Sequence, residues 1–207
     1  MENFPIDETT KVIDLGSEVG SNIYAVLQGT KVQPQNVYIA DIDAEAVMKG
    51  NKKYGFTPVV IDESGTIPFP DKFFDIVYCS SVIEHVTIPK DKVWSLYSDK
   101  KFEIKSRKRQ KEFAKEIQRL GKQYFVQTPY KFFPIESHTW LPFIAFFPRW
   151  LLVPILRFTN LLWVKKTSPD WYLLNKEDMS QLFEEAKIIE EKVFAITKSI
   201  MAVSIKS

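Results

Sequence analysis

This chain has little from which to build a covalent or metal-held scaffold. Its 207 residues include one cysteine, Cys79, and two histidines, His85 and His138. A lone cysteine closes no internal disulfide, which points to a reducing compartment. Cys79 lies in an apolar, strand-like run and reads as a small buried hydrophobe rather than a catalytic thiol. Two histidines far apart in the chain offer no ligand spacing, so no metal site is expected. An excess of one charge is missing too. There are 28 Lys and Arg against 26 Asp and Glu, a net charge of +2, which does not mark a nucleic-acid binder. Long apolar runs are also absent. The most apolar stretch, 141–164, is broken by Pro142, Pro148 and Pro154 and carries Arg149 and Arg157. It falls short of the ~20 apolar residues of a spanning helix. The first ten residues are polar and acidic, so no signal peptide is expected. The expected location is cytoplasmic, with peripheral membrane contact through 140–164 as the alternative.

What is present is alternation. Val12–Leu15, Val37–Ala40, Pro58–Ile61, Phe74–Cys79 and Gln123–Gln127 read as strands. Asn22–Gln28 and Ala44–Tyr54 read as helices between them, and Gly55 is a fitting C-terminal stop. Strands separated by helix-length segments predict βαβ units and a parallel sheet covered on both faces. Asp99–Leu120 reads as a long helix whose middle, Lys105–Lys111, is strongly basic and reads as a solvated face. Lys176–Ala186 reads as the last helix. Ile188–Phe194 and Ile200–Ile205 follow, split by Thr197-Lys198-Ser199, which is too short for a crossover. An antiparallel terminal hairpin is therefore expected. The whole chain, 1–207, reads as one α/β domain, with an aromatic- and proline-rich insertion at 130–172.

The chemistry is expected at the first turn. Lys11-Val12-Ile13-Asp14-Leu15-Gly16-Ser17-Glu18-Val19-Gly20 runs an apolar strand into an acid and two glycines before a helix. In a doubly wound sheet, ligands bind beyond the carboxyl ends of the strands, where strand order reverses. Glycines there let backbone N–H groups approach a ligand. Asp41, at the end of the second strand, stands where a carboxylate accepts ribose hydroxyls. A dinucleotide fingerprint needs G-x-G-x-x-G, whereas here the order is D-x-G-x-x-x-G. The carboxylates of Asp14 and Glu18 would repel a pyrophosphate. They suit a ligand bearing an ammonium and a sulfonium.

Four blocks carry a family resemblance. Val12–Gly20 resembles motif I of the class I S-adenosylmethionine-dependent methyltransferases. Tyr38-Ile39-Ala40-Asp41-Ile42-Asp43 resembles their strand-two motif. Ile67–Val77 and Val82-Ile83-Glu84-His85-Val86 resemble the "LPFPDxSFDVV" and "LEHV" blocks of the type 11 branch. The resemblance implies a Rossmann-like, doubly wound seven-stranded sheet of order 3-2-1-4-5-7-6, and S-adenosyl-L-methionine as cofactor. It implies that the loop of Gly16, Ser17 and Gly20 lines the methionine moiety, and that Asp14 orients that loop and the amino group. Asp41 is implied as the ribose ligand and Ile42 as the adenine contact. Asp62 would accept from the adenine amino group, with Glu63 or Ser64 offering a backbone N–H. Ser80 and Ser81 would border the transferred methyl. Glu18 departs from the family, which usually has glycine there. So does the short segment before the first strand, which leaves the pocket open or covered by the insertion.

On the acceptor side, methyl transfer is an in-line displacement that mainly requires alignment, and a hydroxyl nucleophile also needs a base. An imidazole titrates near neutral pH without a large shift. His138 lies in Gln127–His138, a block similar to "TPNxxFPIExH" of some type 11 relatives. It reads as base or substrate ligand, or as an anchor of the insertion. Glu136 is placed to orient it or to bind substrate. Glu84 and His85 are expected to open a helix, with His85 either lining the pocket or capping. Asp75 reads as structural, and Asp43 as a helix cap. The apolar residues Trp140, Phe143, Phe146, Phe147, Trp150, Leu151, Leu152, Phe158 and Trp163 pack as a lid. Alternatively they face outward, with Arg149, Arg157, Lys165 and Lys166, as an interface to a bilayer or another subunit. The expected activity is methyl transfer to a small or amphiphilic acceptor, at oxygen, with a lipid-linked acceptor if the aromatics are exposed. The alternative is a cofactor-binding, non-catalytic partner subunit. A nucleic-acid enzyme is disfavoured, because Ser80-Ser81-Val82-Ile83 stands where amino-nitrogen enzymes carry an N/D-P-P-Y/F motif.

Overall fold

A computed structural model describes residues 4–62, 66–135, 138–162 and 164–204. One seven-stranded sheet runs through it in the order β3-β2-β1-β4-β5-β7-β6. The strands are β1 (Val12–Leu15), β2 (Val37–Asp41), β3 (Thr57–Val60), β4 (Phe74–Ser80), β5 (Gly121–Pro129), β6 (Lys187–Val193) and β7 (Ile196–Ser204). The first five are parallel. β7 pairs antiparallel with β5 and with β6. The central strands β1 and β4 are almost wholly buried, as apolar runs in a parallel sheet covered on both faces require. Strand order reverses at β1, so its carboxyl end, with those of β2 and β4, opens onto the crevice.

The helices are α1 (Ser21–Val26), α2 (Ala44–Tyr54), α3 (Asp99–Leu120), α4 (Arg149–Leu162) and α5 (Lys176–Leu182). α2 starts on the Asp43 side chain, which accepts from the N–H groups of Glu45 and Ala46, and stops at Gly55 in the left-handed region. α3 begins on Ser98. It buries Phe102, Ala114, Ile117 and Leu120 and leaves most of its basic middle in water. Cys79 is fully buried.

Three expectations need correction. The hairpin turns at Phe194 and Ala195, not at Thr197–Ser199. Both turn residues have positive φ (48° and 66°), the two-residue turn that suits strand twist. Neither is the Gly or Asn that signals such a turn. Glu84 and His85 do not open a helix. They lie in a single 3-10 turn, Ile83–His85, and Pro89 soon follows. α5 ends at Leu182 rather than Ala186, where the Phe183 N–H closes on the Met179 carbonyl.

The insertion folds over the crevice side by building a small core of its own. Ile144, Leu152, Leu156, Trp171 and Leu173 are buried together, with Trp94 and Leu141 packed against them. α4 buries Arg149, Leu152, Val153 and Leu156, a stripe at i, i+3, i+4 and i+7. Arg149 was expected to flank an interface, but it is buried. Its backbone N–H donates to Asp99 (2.8 Å), and its guanidinium donates to the carbonyls of Leu96 (2.8 Å), Pro169 (2.8 Å) and Val93 (2.6 Å) while lying over the Phe102 ring. Burial pulls its pKa down to about 10, so it stays charged at neutral pH. This fork staples the segment before α3 to the start of α4 and to the segment that follows α4. Arg149→Met strands three carbonyls and should cost about 3 kcal/mol or more. Arg149→Lys should restore little, because an ammonium cannot fork to three sites. Equilibrium denaturation in urea measures both.

Candidate active site

The crevice is lined first by the turn after β1. Gly16 and Gly20 both have positive φ (71° and 74°), which only glycine adopts freely. A Cβ on Gly16 would fall 2.5 Å from Val82 Cγ2, so the chain leaving β4 lies directly on this turn. Glu18 sits between the glycines at φ 50° with its side chain in water. A non-glycine residue held in this region costs about 1 kcal/mol or more. The conformation is maintained by Asp41, whose Oδ2 accepts from the Glu18 N–H at 2.9 Å. The other oxygen, Oδ1, accepts from the Asp43 N–H at 3.0 Å. Asp41 therefore ties the β1 turn to the β2 turn and keeps a lone pair on each oxygen for a further donor. Beside it, Ile42 is 51% exposed, an apolar surface facing the open end of the sheet.

Asp14 is buried one turn deeper. Burial, with the Asp41 charge adding to it, pushes its carboxyl well above the usual carboxylate range. The Ser17 hydroxyl is buried with no hydrogen-bond partner. A buried polar atom with nothing to bind marks a position for a ligand or ion. At the end of β4, Ser80 Oγ donates to Gln127 Oε1 (3.3 Å), and the Ser81 N–H donates to the Gln127 carbonyl (2.9 Å). Asp62 is exposed just past β3, whose end is tied to β2 by the Ile61 N–H on the Asp41 carbonyl (3.0 Å). Glu63, Ser64 and Glu136 lie outside the described residues. Asp75 is held by the Lys11 N–H (2.9 Å) and Lys122 Nζ (2.7 Å) at the other end of β4, in a structural role.

The two histidines, separated in sequence, meet in space. His85 Nε2 and His138 Nε2 are 2.9 Å apart, with the rings edge to face. His138 Nε2 is 3.7 Å from Glu84 Oε1. Glu84 is fully buried. Its Oε2 accepts from Thr128 Oγ1 at 3.0 Å, while Oε1 has no hydrogen-bond partner. On the far side, His85 Nδ1 faces Asp170 Oδ1 at 3.4 Å. Burial raises the Asp170 pKa, but the His85 hydrogen bond and charge outweigh it, and the carboxyl titrates below its ordinary range. Trp171 stacks on His138 (6.0 Å, 12°), and the Tyr172 N–H donates to the Glu84 carbonyl. Thus the ends of β4 and β5, the start of the insertion and the segment after α4 each supply part of one polar cluster. Asp170 and Trp171 carry no motif, and Thr128 lies in the Gln127–His138 block without a role of its own there. Only the fold reveals their part.

The lid and interface readings of the insertion divide between its faces. Leu152 is buried, whereas Trp140, Phe143, Phe146, Phe147, Trp150 and Phe158 are exposed. Trp163 lies outside the described residues.

Residues 13–98 match the family model of the type 11 methyltransferase domain. No curated protein matches the sequence. Among solved structures, the chain resembles one from the complex between the Haloferax volcanii Trm112 methyltransferase activator and a candidate methyltransferase. The two are 12% identical, with 98% of this chain and 84% of that one covered, at a TM-score of 0.57. It also resembles the CurJ carbon methyltransferase (14% identical, 100% of this chain and 51% of that one, TM-score 0.55). A third is phosphoethanolamine N-methyltransferase 2 of Haemonchus contortus (13% identical, 90% and 36% covered, TM-score 0.53). At these identities the likeness shows the fold.

The cradle fits the cofactor of that family. Two glycines clear the turn, an unpartnered hydroxyl and a carboxylate with free lone pairs face it, and an exposed isoleucine flanks the acid. S-adenosyl-L-methionine supplies an activated methyl on sulfur. The residues that would hold it are Gly16, Ser17, Gly20, Asp41 and Ile42, with Asp14, Asp62 and Ser80 at the margins. Asp41→Ala should weaken S-adenosylhomocysteine binding about 10–100-fold, the loss of charge-assisted hydrogen bonds. Titration calorimetry would show it, and unchanged affinity would remove Asp41 from the site.

Proposed function

We propose that this chain, which carries a type 11 methyltransferase domain over residues 13–98, transfers a methyl group from S-adenosyl-L-methionine to a hydroxyl of an amphiphilic acceptor. The observation that carries the reading is the His85–His138 contact beside the buried Glu84, on the chain that leaves β4 and covers Gly16. Oxygen is a poor nucleophile until its proton is removed, and a positioned imidazole removes it near neutral pH. His138 is the proton acceptor. His85, oriented by Asp170, shares the proton, and Glu84 stabilises the positive charge that forms. Glu136 is proposed to help orient His138 or the acceptor. The cradle holds the donor so that sulfur, methyl and oxygen fall in line.

The amphiphilic acceptor is argued from α4. Its inner stripe is packed, yet its outer side is also apolar: Trp150 (63% exposed), Phe158 (63%), Leu161 (79%) and Leu162 (75%). A helix that is apolar all round needs a second apolar neighbour. Arg157, Lys165 and Lys166 flank this face, the composition of an interfacial helix at an anionic bilayer. No described helix is long and apolar enough to cross a membrane, so contact would be peripheral. A groove lined by Lys92, Lys105, Lys108 and Arg109 between α3 and the 88–96 segment offers cations to acceptor phosphates.

A second reading, a cofactor-binding partner subunit without its own catalysis, is favoured by the likeness to a chain from the Trm112 complex. The two readings separate on transfer of radiolabelled methyl from S-adenosylmethionine to hydroxylated, lipid-linked acceptors in anionic vesicles. Catalysis predicts label in the lipid phase and at least a 100-fold loss in His138→Ala. Cofactor binding with no transfer across the panel favours the partner reading. Phe158→Ser with Leu161→Ser should leave stability nearly unchanged, since both are exposed, and abolish co-sedimentation with the vesicles. Retained co-sedimentation would remove α4 from the interface.

A further inference from the structure

The cluster at Glu84 has a feature that acceptance of a proton does not use. Glu84 Oε1 is fully buried and has no hydrogen-bond partner. An unpaired carboxylate oxygen in such a place costs several kcal/mol unless a cation compensates it. Two imidazole nitrogens lie close to it and to each other. His85 Nε2 and His138 Nε2 lie 2.9 Å apart, and His138 Nε2 lies 3.7 Å from Oε1. All three atoms fall within 4.8 Å of one another.

We propose that Glu84, His85 and His138 form a binding site for one divalent transition-metal ion, of the imidazole-preferring class to which zinc belongs. Ligand atoms about 2.0–2.2 Å from a tetrahedral ion stand about 3.3 Å from each other. The observed separations bracket that value, so small ring movements admit the ion. Two imidazoles and one carboxylate select zinc or cobalt over magnesium, calcium and manganese, which prefer oxygen-rich shells. Three protein ligands leave one position open, the pattern of a catalytic rather than a structural site.

The surroundings fit as well. A ligating histidine is normally fixed by a partner on its other nitrogen, and a ligating carboxylate by a hydrogen bond of its own. Asp170 Oδ1 faces His85 Nδ1, and Thr128 Oγ1 donates to Glu84 Oε2. Trp171 covers the His138 ring and limits its rotation. These contacts leave His85 Nε2, His138 Nε2 and Glu84 Oε1 facing inward together.

The proposal deepens the methyltransferase reading and rests on it. With an ion bound, the open position takes the acceptor oxygen. Its hydroxyl becomes acidic enough to lose its proton to solvent near neutral pH, and the imidazoles serve as ligands, which replaces the proton-accepting role that His138 has in the absence of the ion. The chain suits a clean test, because it contains two histidines in all and its cysteine is buried. Any imidazole-bound ion must involve this pair.

The experiment is equilibrium dialysis of the untagged chain against zinc, with cobalt substitution read by visible absorption and S-adenosylhomocysteine binding measured in parallel. One zinc per chain is expected, with a tetrahedral or five-coordinate cobalt spectrum. Glu84→Gln and His138→Ala should each weaken zinc binding at least 100-fold while S-adenosylhomocysteine still binds, which also shows that the variants are folded. Thr128→Val should weaken zinc about 10–100-fold. Zinc binding that is absent, or unchanged in these variants, overturns the metal site and leaves the methyltransferase reading standing if S-adenosylhomocysteine binds. Loss of S-adenosylhomocysteine binding by the parent chain, with zinc retained, overturns the methyltransferase reading instead.

Discussion

The arrangement depends on one buried carboxylate. Glu84 stands where the chain leaves β4, and the segments of the polar cluster close around it. Thr128 reaches the carboxylate from β5 and His138 from the start of the insertion, while the Tyr172 N–H, from the segment after α4, donates to the Glu84 backbone carbonyl. Buried charge is tolerated only when other groups compensate it. These segments are therefore held in mutual register by what Glu84 requires. The same chain, two residues earlier, packs Val82 on Gly16. A single short turn thus couples the cofactor cradle to the polar cluster.

The cradle follows a different logic. It is made by backbone, with glycine at the turn and one acid, Asp41, bridging two loops. Its geometry is local to β1 and β2 and needs nothing from the insertion. The acceptor side is long-range and depends on Arg149 stapling the insertion down. One part of the site is built from neighbouring strand ends and the other from distant segments.

The same division governs what was legible in the sequence. The bounds of α2 and α3, the capping by Asp43 and the Asp41 position follow from local patterns: apolar runs, glycine stops and an acid at a strand end; the sheet order is implied by the family resemblance and is the order observed. The hairpin turn was misplaced because Phe194 and Ala195 adopt positive φ without the residues that announce it. Arg149 was read as a surface cation because a buried guanidinium is betrayed only by the carbonyls it meets. The histidine pair was read as two distant residues. They stand 53 positions apart, and their contact is created by folding the intervening chain back over the strand ends, which no spacing rule encodes.

The central claim is that the Gly16–Asp41 cradle and the Glu84 cluster are two halves of one reaction site. A crystal structure of the chain soaked with S-adenosylhomocysteine tests it most directly. The account predicts ribose hydroxyls on Asp41, adenine against Ile42, and the sulfur directed past Ser80 toward His138. A nucleoside bound elsewhere, or a sulfur turned away from His85 and His138, would contradict it.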